Sequence, residues 1–303
     1  MRNRIREIIG AETADHLGLA YEVLAPIGDG GKVPDDKKAG WLETLTKHTV
    51  SAEHTVSADY DKFFKCWEKS LKVSGATVWT LTLSTRLLIG HGNPSGTDIG
   101  LTVHHTWGVP VIPGSALKGL LAHYVETTYG PDPEDSVDSK RAKFAGVTWA
   151  GSRIVGKPGD YFEALFGSPP VAGGEADSAS PGRQGRIIFH DALYVPENTQ
   201  TPFSADVLTV HQKPYYDSLG KDAFPSDYAS PVPLPFLTVR PNTKFLIALS
   251  DRTGSTGWTD LAREILADAL IKWGVGGKTS LGYGRGSLSP RSTNGLSVRP
   301  ESL

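Results

Sequence analysis

Between Gly274 and Gly286 the sequence G-V-G-G-K-T-S-L-G-Y-G-R-G places six glycines, two basic side chains and one tyrosine within thirteen residues. Glycine permits φ > 0 and the close approach of another backbone, so such a loop can aim several N–H groups at one anion. Lys278 and Arg285 add charge and Tyr283 adds a stacking face, a combination suited to a phosphate backbone. A purely structural reading stands beside it: Gly274 falls where the C-cap of a preceding helix belongs, and other glycines serve turns. Two nucleotide motifs fail on spacing. A P-loop needs a glycine where Lys272 stands, five positions before Gly277-Lys278-Thr279, and needs a strand before it rather than a helix pattern from about Asp260 to Trp273. A dinucleotide fingerprint beginning at Gly274 or Gly282 would need its third glycine at Thr279 or Ser287.

A second anion signal lies at Pro113-Gly114-Ser115, which reads as the entry to a helix with Ser115 as N-cap. Its third helical position is Lys118, where a capping box wants Glu or Gln and where the helix dipole favours acid by about 0.3–1 kcal/mol. Lysine there is unfavourable unless an anion lies in front of it, so Ser115 and Lys118 become candidates for phosphate binding. The alternative is a solvated lysine on a helix strong enough to tolerate it.

The elements that must carry these residues follow from periodicity. Tyr60, Phe63, Phe64, Trp67 and Leu71 recur at helical spacing from Asp59 onward, so this aromatic stripe is expected in the core, with Cys66 as a small buried residue. Ala76–Ile89 alternates with period two and reads as a strand. A helix from Ser115 to Tyr129 follows, with Leu117, Leu120, Leu121, Tyr124 and Val125 inward. Strands are expected at Gly185–Val195 and Pro235–Ser250, then a helix over Asp260–Trp273. Residues 167–184 read as a surface loop, and residues 196–235, rich in aromatics and proline, as a projecting arm.

The order strand, helix, strand, strand, helix and a final glycine-rich strand or loop is that of an α+β, ferredoxin-like (RRM-like) domain, an architecture that includes binders of single-stranded RNA. We expect residues 1–74 to form a helical N-terminal extension packed on the core. Residues 75–303 would form the domain itself, with insertions at about 131–184 and 196–235.

Composition bounds the partners. The chain has 303 residues, 39% of them hydrophobic, and a net charge of −2, which excludes binding to nucleic acid through bulk positive charge and leaves only local sites. A single cysteine excludes an internal disulfide and every multi-cysteine zinc motif. No apolar run reaches membrane-spanning length and the start lacks a signal-peptide core, so a cytoplasmic location is expected, with no membrane partner.

The segments P-V-I-P-G-S-A-L-K-G-L-L-A-H-Y, Y-F-E-A-L-F-G-S, G-R-I-I-F-H-D-A, D-V-L-T-V-H, S-P-V-P-L-P-F-L-T-V and G-V-G-G-K-T-S-L-G-Y-G resemble, in this order, the RAMP superfamily of CRISPR proteins. Their wording is most similar to the sixth-subunit family of the type III-B Cmr complex, over about Thr77 to Gly286. The resemblance implies an RRM-like fold within a multisubunit ribonucleoprotein of antiviral defence, binding guide RNA (crRNA) near its 3′ end. Its partners would be that RNA, the guide–target RNA duplex and other Cmr-type subunits. By motif it nominates Ser115, Lys118, Gly276, Lys278, Thr279, Tyr283 and Arg285 for RNA binding. The arm around His211 and Lys213 would approach the duplex or a neighbouring subunit. In such assemblies protein reads backbone shape and base pairing reads sequence.

Catalysis has one candidate. Related backbone subunits carry a metal-supporting aspartate in the loop after the first strand, and here that loop holds Asp98 with His104 and His105. An endoribonuclease would need a divalent metal on Asp98 and an acid such as either histidine. The expected state is non-catalytic, with no cofactor or resident metal. His190-Asp191 ends a strand and lacks the further ligands of an HD hydrolase, and P-G-S-A-L lacks the second glycine of a nucleophile elbow at Ser115.

Overall fold

The computed structural model describes residues 16–28, 30–47, 57–132, 134, 139–171, 181–196, 201–221, 224–225, 228 and 230–291. The fold is mixed α+β around an antiparallel sheet. Its strands are β1 (Thr77–Leu83), β2 (Val111–Ile112), β7 (Ile187–Phe189), β8 (Ala192–Tyr194), β11 (Lys244–Asp251) and β12 (Gly286–Pro290), in the order β12-β1-β11-β8-β2 with β7 also on β11. β11 is the centre. Six successive residues, Phe245–Ser250, are buried, the pattern of a strand covered on both faces. β7 and β8 lie along one edge of β11 and are separated by His190-Asp191, although the His190 N–H still donates to Ala248 O at 3.2 Å.

Among the described residues, three helices precede the sheet in sequence: α1 (Leu17–Glu22), α2 (Asp35–Thr46) and α3 (Ala58–Val73). α3 is well specified locally. Ser57 accepts the Tyr60 N–H at 3.1 Å, Asp59 and Asp61 sit at the positive end of the dipole, and Asp61–Lys65 (2.5 Å) and Glu68–Lys72 (2.7 Å) pair at i,i+4. Tyr60, Phe64 and Leu71 are buried, Phe63 and Trp67 partly so, and the Tyr60 hydroxyl donates to Tyr194 O of β8. The aromatic stripe is therefore core. Cys66, expected there too, is exposed, because it sits on the other side of the helix from that stripe. Buried residues of α1, α2 and α3 belong to the same apolar cluster as the sheet.

Two further helices pack against each other: α4 (Gly114–Tyr129) and, after β11, α7 (Thr256–Lys272). Between α4 and β7 come a hairpin of β3 (Thr148–Ala150) and β4 (Arg153–Gly156), then α5 (Asp160–Phe166), β5 (Gly167–Ser168) and β6 (Arg183–Gln184). The stretch expected as an irregular arm is more regular than its prolines imply. β9 (Phe203–Val210) pairs with β10 (Val232–Val239) over eight residue pairs, and α6 (Lys213–Asp217) follows β9. Prolines 233 and 235 are tolerated because β10 belongs to a two-stranded sheet, where they can face its unpaired edge. The single strand expected over Pro235–Ser250 is consequently two, broken at Asn242, which adopts φ 63°. No helix among the described residues is long and apolar enough to cross a membrane.

Candidate nucleic-acid interface

The glycine-rich loop is held by its own backbone. Gly274, at φ 84°, ends α7 with its N–H on Ala269 O, and a Cβ there would lie 2.5 Å from Tyr283 O. Val275 N–H donates to Gly284 O at 2.9 Å, Gly277 N–H to Leu88 O at 2.7 Å and Gly284 N–H to Arg86 O at 2.7 Å. Only glycine fits at 284, where a Cβ would sit 1.9 Å from Val275 O. The structural reading of these glycines is thus correct for Gly274 and Gly284. It does not exhaust the loop: among the described residues, the N–H groups of Gly276, Lys278, Thr279 and Ser280 have no hydrogen-bond partner.

Three of those four residues line a cleft of about 580 Å³ between the loop and α4. Gly276, Thr279, Ser280 and Arg285 form one wall; Ala116, Gly119, Leu120 and His123 of α4 form the other, with Trp273 at its end. Unpaired N–H groups and a guanidinium suit an anion. The His123 and Trp273 rings, 5.1 Å apart, offer a stacking surface for a base. Gly119 interrupts an otherwise good helix-forming run, yet beyond its neighbours and the helix's own backbone nothing lies within 4 Å of a Cβ built there. Its absent side chain leaves the helix backbone open to whatever occupies the cleft.

The remaining candidates are distributed. Lys278 adopts φ 58°, a left-handed conformation that lysine rarely takes, and lies outside the lining of this cleft. The Tyr283 hydroxyl donates to Asp206 of β9 at 2.6 Å, and Arg86 approaches the same carboxylate at 3.4 Å. Burial, and then that hydrogen bond, push the phenol up to about 12. The tyrosine is therefore a tie between the loop and the β9–β10 hairpin. His211 and the backbone of Lys213 lie past the far end of β9, about 16 Å of strand beyond Asp206, so they do not join the cleft.

At the entrance of α4 the N-cap is Pro113, not Ser115. The cap is supplied from a distance: Asp191 accepts the Gly114 N–H at 2.7 Å, and Gly114 must be glycine because a Cβ would lie 2.1 Å from Phe189 O. Ser115 is exposed in the first turn. At 100° per residue Lys118 lies about 150° around α4 from the cleft-lining positions. It opens instead into a second cleft, of about 420 Å³.

Asp98 is engaged. Lys32 binds one carboxylate oxygen and Lys38 the other at 2.5 Å, and Lys38, itself buried, also holds Asp35 at 2.9 Å. Burial raises the Asp98 carboxyl, but the two lysine hydrogen bonds outweigh it and the net shift is downward. His104 Nδ1 accepts the Thr106 N–H at 3.2 Å, and burial lowers its pKa. The His105 carbonyl is in contact with the His16 ring at 2.8 Å. No group of three His, Cys, Asp or Glu among the described residues could hold a metal.

A family model of the RAMP superfamily matches residues 80–287. The chain belongs to the RAMP superfamily. That span agrees with the Thr77–Gly286 over which the motifs resemble RAMP proteins. Among curated relatives, the CRISPR system Cmr subunit Cmr6 of Pyrococcus furiosus is 29% identical over 252 residues, covering 75% of this RAMP chain and 72% of the relative. Among solved structures, a chain of the type III-B Cmr-beta complex bound to cognate target RNA superposes with a TM-score of 0.56 at 20% identity, over 84% of this chain and 72% of that one, a likeness of fold. The crystal structure of Cmr6 from Pyrococcus furiosus matches with a TM-score of 0.39 at 26% identity, over 71% of this chain and 98% of that one.

Proposed function

We propose that this RAMP protein is a non-catalytic, crRNA-binding and assembly subunit of a type III-B CRISPR effector, near the 3′ end of the guide. The observation that carries the reading is the cleft between α4 and the glycine-rich loop, where unpaired N–H groups, Arg285 and a ring surface converge. It is built for backbone and base shape rather than for sequence, which suits a protein whose RNA is read by base pairing. The relative named Cmr6 and the fold shared with a chain of a target-bound Cmr complex support the same assignment, with other Cmr-type subunits and the guide–target duplex as partners.

A ferredoxin-like core fits the topology. β1, the edge formed by β7 and β8, then β11 and β12 are its four strands, connected through α4 and α7, and their spatial order is fourth, first, third, second. Residues 16–28, 30–47 and 57–74 are then an extension on that core, in keeping with the shared apolar cluster, while the rest of 1–74 lies outside the described residues.

The test is crosslinking of RNA to the assembled complex. Lys278→Ala with Arg285→Ala should reduce crosslinks at Gly274–Gly286 several-fold while the subunit stays incorporated; undiminished crosslinks would overturn the reading. Asp98→Ala should leave every target-RNA cut in place, since the carboxylate serves Lys32 and Lys38. Loss of one cut would instead make Asp98 a metal-dependent nuclease residue.

A further inference from the structure

The cleft that receives Lys118 lies on the side of α4 away from the glycine-rich loop, and it gathers two arginines from elsewhere in the fold. Arg183 comes from β6 and Arg252 from the residue after β11, while Gly167, Ser168 and Gly185 complete much of the lining. Arg252 is fixed by its Nε, which donates to Gly185 O at 3.1 Å, and the rest of its guanidinium has no partner among the described residues. Lys118 has none either. Arg183 shares one nitrogen with Glu163 at 3.3 Å, and Glu163 also accepts the Ser168 hydroxyl at 2.6 Å. Among the described residues no carboxylate lines the cleft; the nearby Glu163 is already engaged by Arg183 and Ser168, and Asp251 is committed to Arg186 at 3.1 Å.

Three cations from separate elements line one open volume, and of these Lys118 and most of the Arg252 guanidinium have no counter-ion among the described residues, so an anion there would gain Coulomb energy. We propose that Lys118, Arg183 and Arg252 form a second phosphate-binding cleft for the RNA strand, which crosses the N-terminal half of α4 from the glycine-rich loop to this side. The inference rests on the RNA-binding reading above and adds two residues that lie outside the glycine-rich and P-G-S-A-L-K-G motifs. The clefts flank one helix, so the phosphates they hold are about 10 Å apart, the thickness of a helix. A short run of one strand bridges that gap. RNA rather than an acidic protein segment is favoured by the position of the cleft, across one helix from the glycine-rich loop, where a single strand can reach both sets of cations.

The experiment uses the complex assembled with its guide and sister subunits, comparing Arg183→Glu, Arg252→Glu and the conservative Arg252→Lys. RNA affinity is measured against salt concentration, alongside RNA–protein crosslinks. The glutamate variants should bind RNA about three- to tenfold more weakly, with the slope of log affinity against log salt reduced by about 0.7 per lost contact. Arg252→Lys should recover most of the slope. Crosslinks at Gly274–Gly286 should persist, while those at residues 183–187 vanish. Unchanged affinity and slope overturn the proposal, and so does a loss of subunit incorporation with RNA contacts intact, which would assign the cleft to a carboxylate of a neighbouring protein. Absence of crosslinks at Gly274–Gly286 in the unmodified complex is a different failure, that of the RNA-binding reading itself. Thermal melting of each variant separates misfolding from lost binding.

Discussion

Gly119 shows how one residue can be costly to the fold and useful to the site. A glycine inside a helix is about 0.5–1 kcal/mol worse than alanine, and nothing in the protein requires it there, since a Cβ would meet open space. Gly119→Ala should therefore raise the stability of the isolated protein by about 0.5–1 kcal/mol in a denaturant titration, and yet weaken RNA crosslinking in the complex by filling the wall of the cleft. A stabilised variant with unaltered RNA contacts would show that the cleft is not occupied at this wall. Gly284 is the opposite case, fixed by its own chain through the carbonyl of Val275. The sequence alone displays the two glycines in the same way, as members of Gly-containing motifs; only the atoms around each separate the structural one from the accessible one.

Between elements, the connection that matters is Tyr283 to Asp206. It joins the glycine-rich loop to β9, and Leu87 adds a bridge to Val239 at the base of the same hairpin, so the orientation of β9 and β10 is coupled to the loop. Tyr283→Phe removes the bond and leaves the Asp206 carboxylate with Arg86, at a cost of about 1–2 kcal/mol. Hydrogen exchange should then rise in β9 and β10 before it rises in β11. The tyrosine also sets a pH limit. Its pKa is raised in the folded protein, so the contribution of the protonated hydroxyl is complete below about pH 10, the ordinary phenol value, and is lost as pH rises through about 12. Burial also raises Tyr21, Tyr60 and Tyr124, so the expected observation is a late-titrating tyrosinate absorbance that is smaller by one tyrosine in Tyr283→Phe, with the component near 12 removed. The pairing of β9 with β10 was hard to read in the sequence because prolines in β10 argue against a strand unless its edge is free, and that freedom is a property of the sheet.

For the molecule as a whole, Asp98 fastens the segment carrying α1 and α2 to the loop between β1 and β2. Lys38 is buried, so removing the charge it faces leaves Asp35 as its one counter-ion among the described residues. Asp98→Asn should cost about 2–3 kcal/mol, less than a fully buried pair because Lys32 and Asp35 are exposed. The pH dependence has a definite sign. The folded carboxyl has a lowered pKa, so its contribution is complete above the ordinary carboxylate value of about 3.9 and disappears as pH falls through the lower folded value. Thermal melting between pH 5 and pH 2 should show that extra loss in the parent protein and its absence in Asp98→Asn. The sequence by itself determined what short-range physics controls: the aromatic helix that became α3, the period-two strand β1, the inward face of α4, and the motif order that identifies a RAMP protein. Only the tertiary structure decided that Asp98 serves two lysines, that Asp191 rather than Ser115 caps α4, and that Lys118 turns away from the glycine-rich loop toward Arg183 and Arg252. Those outcomes depend on which distant residues the sheet order brings within a few ångströms, and no local spacing encodes such a meeting.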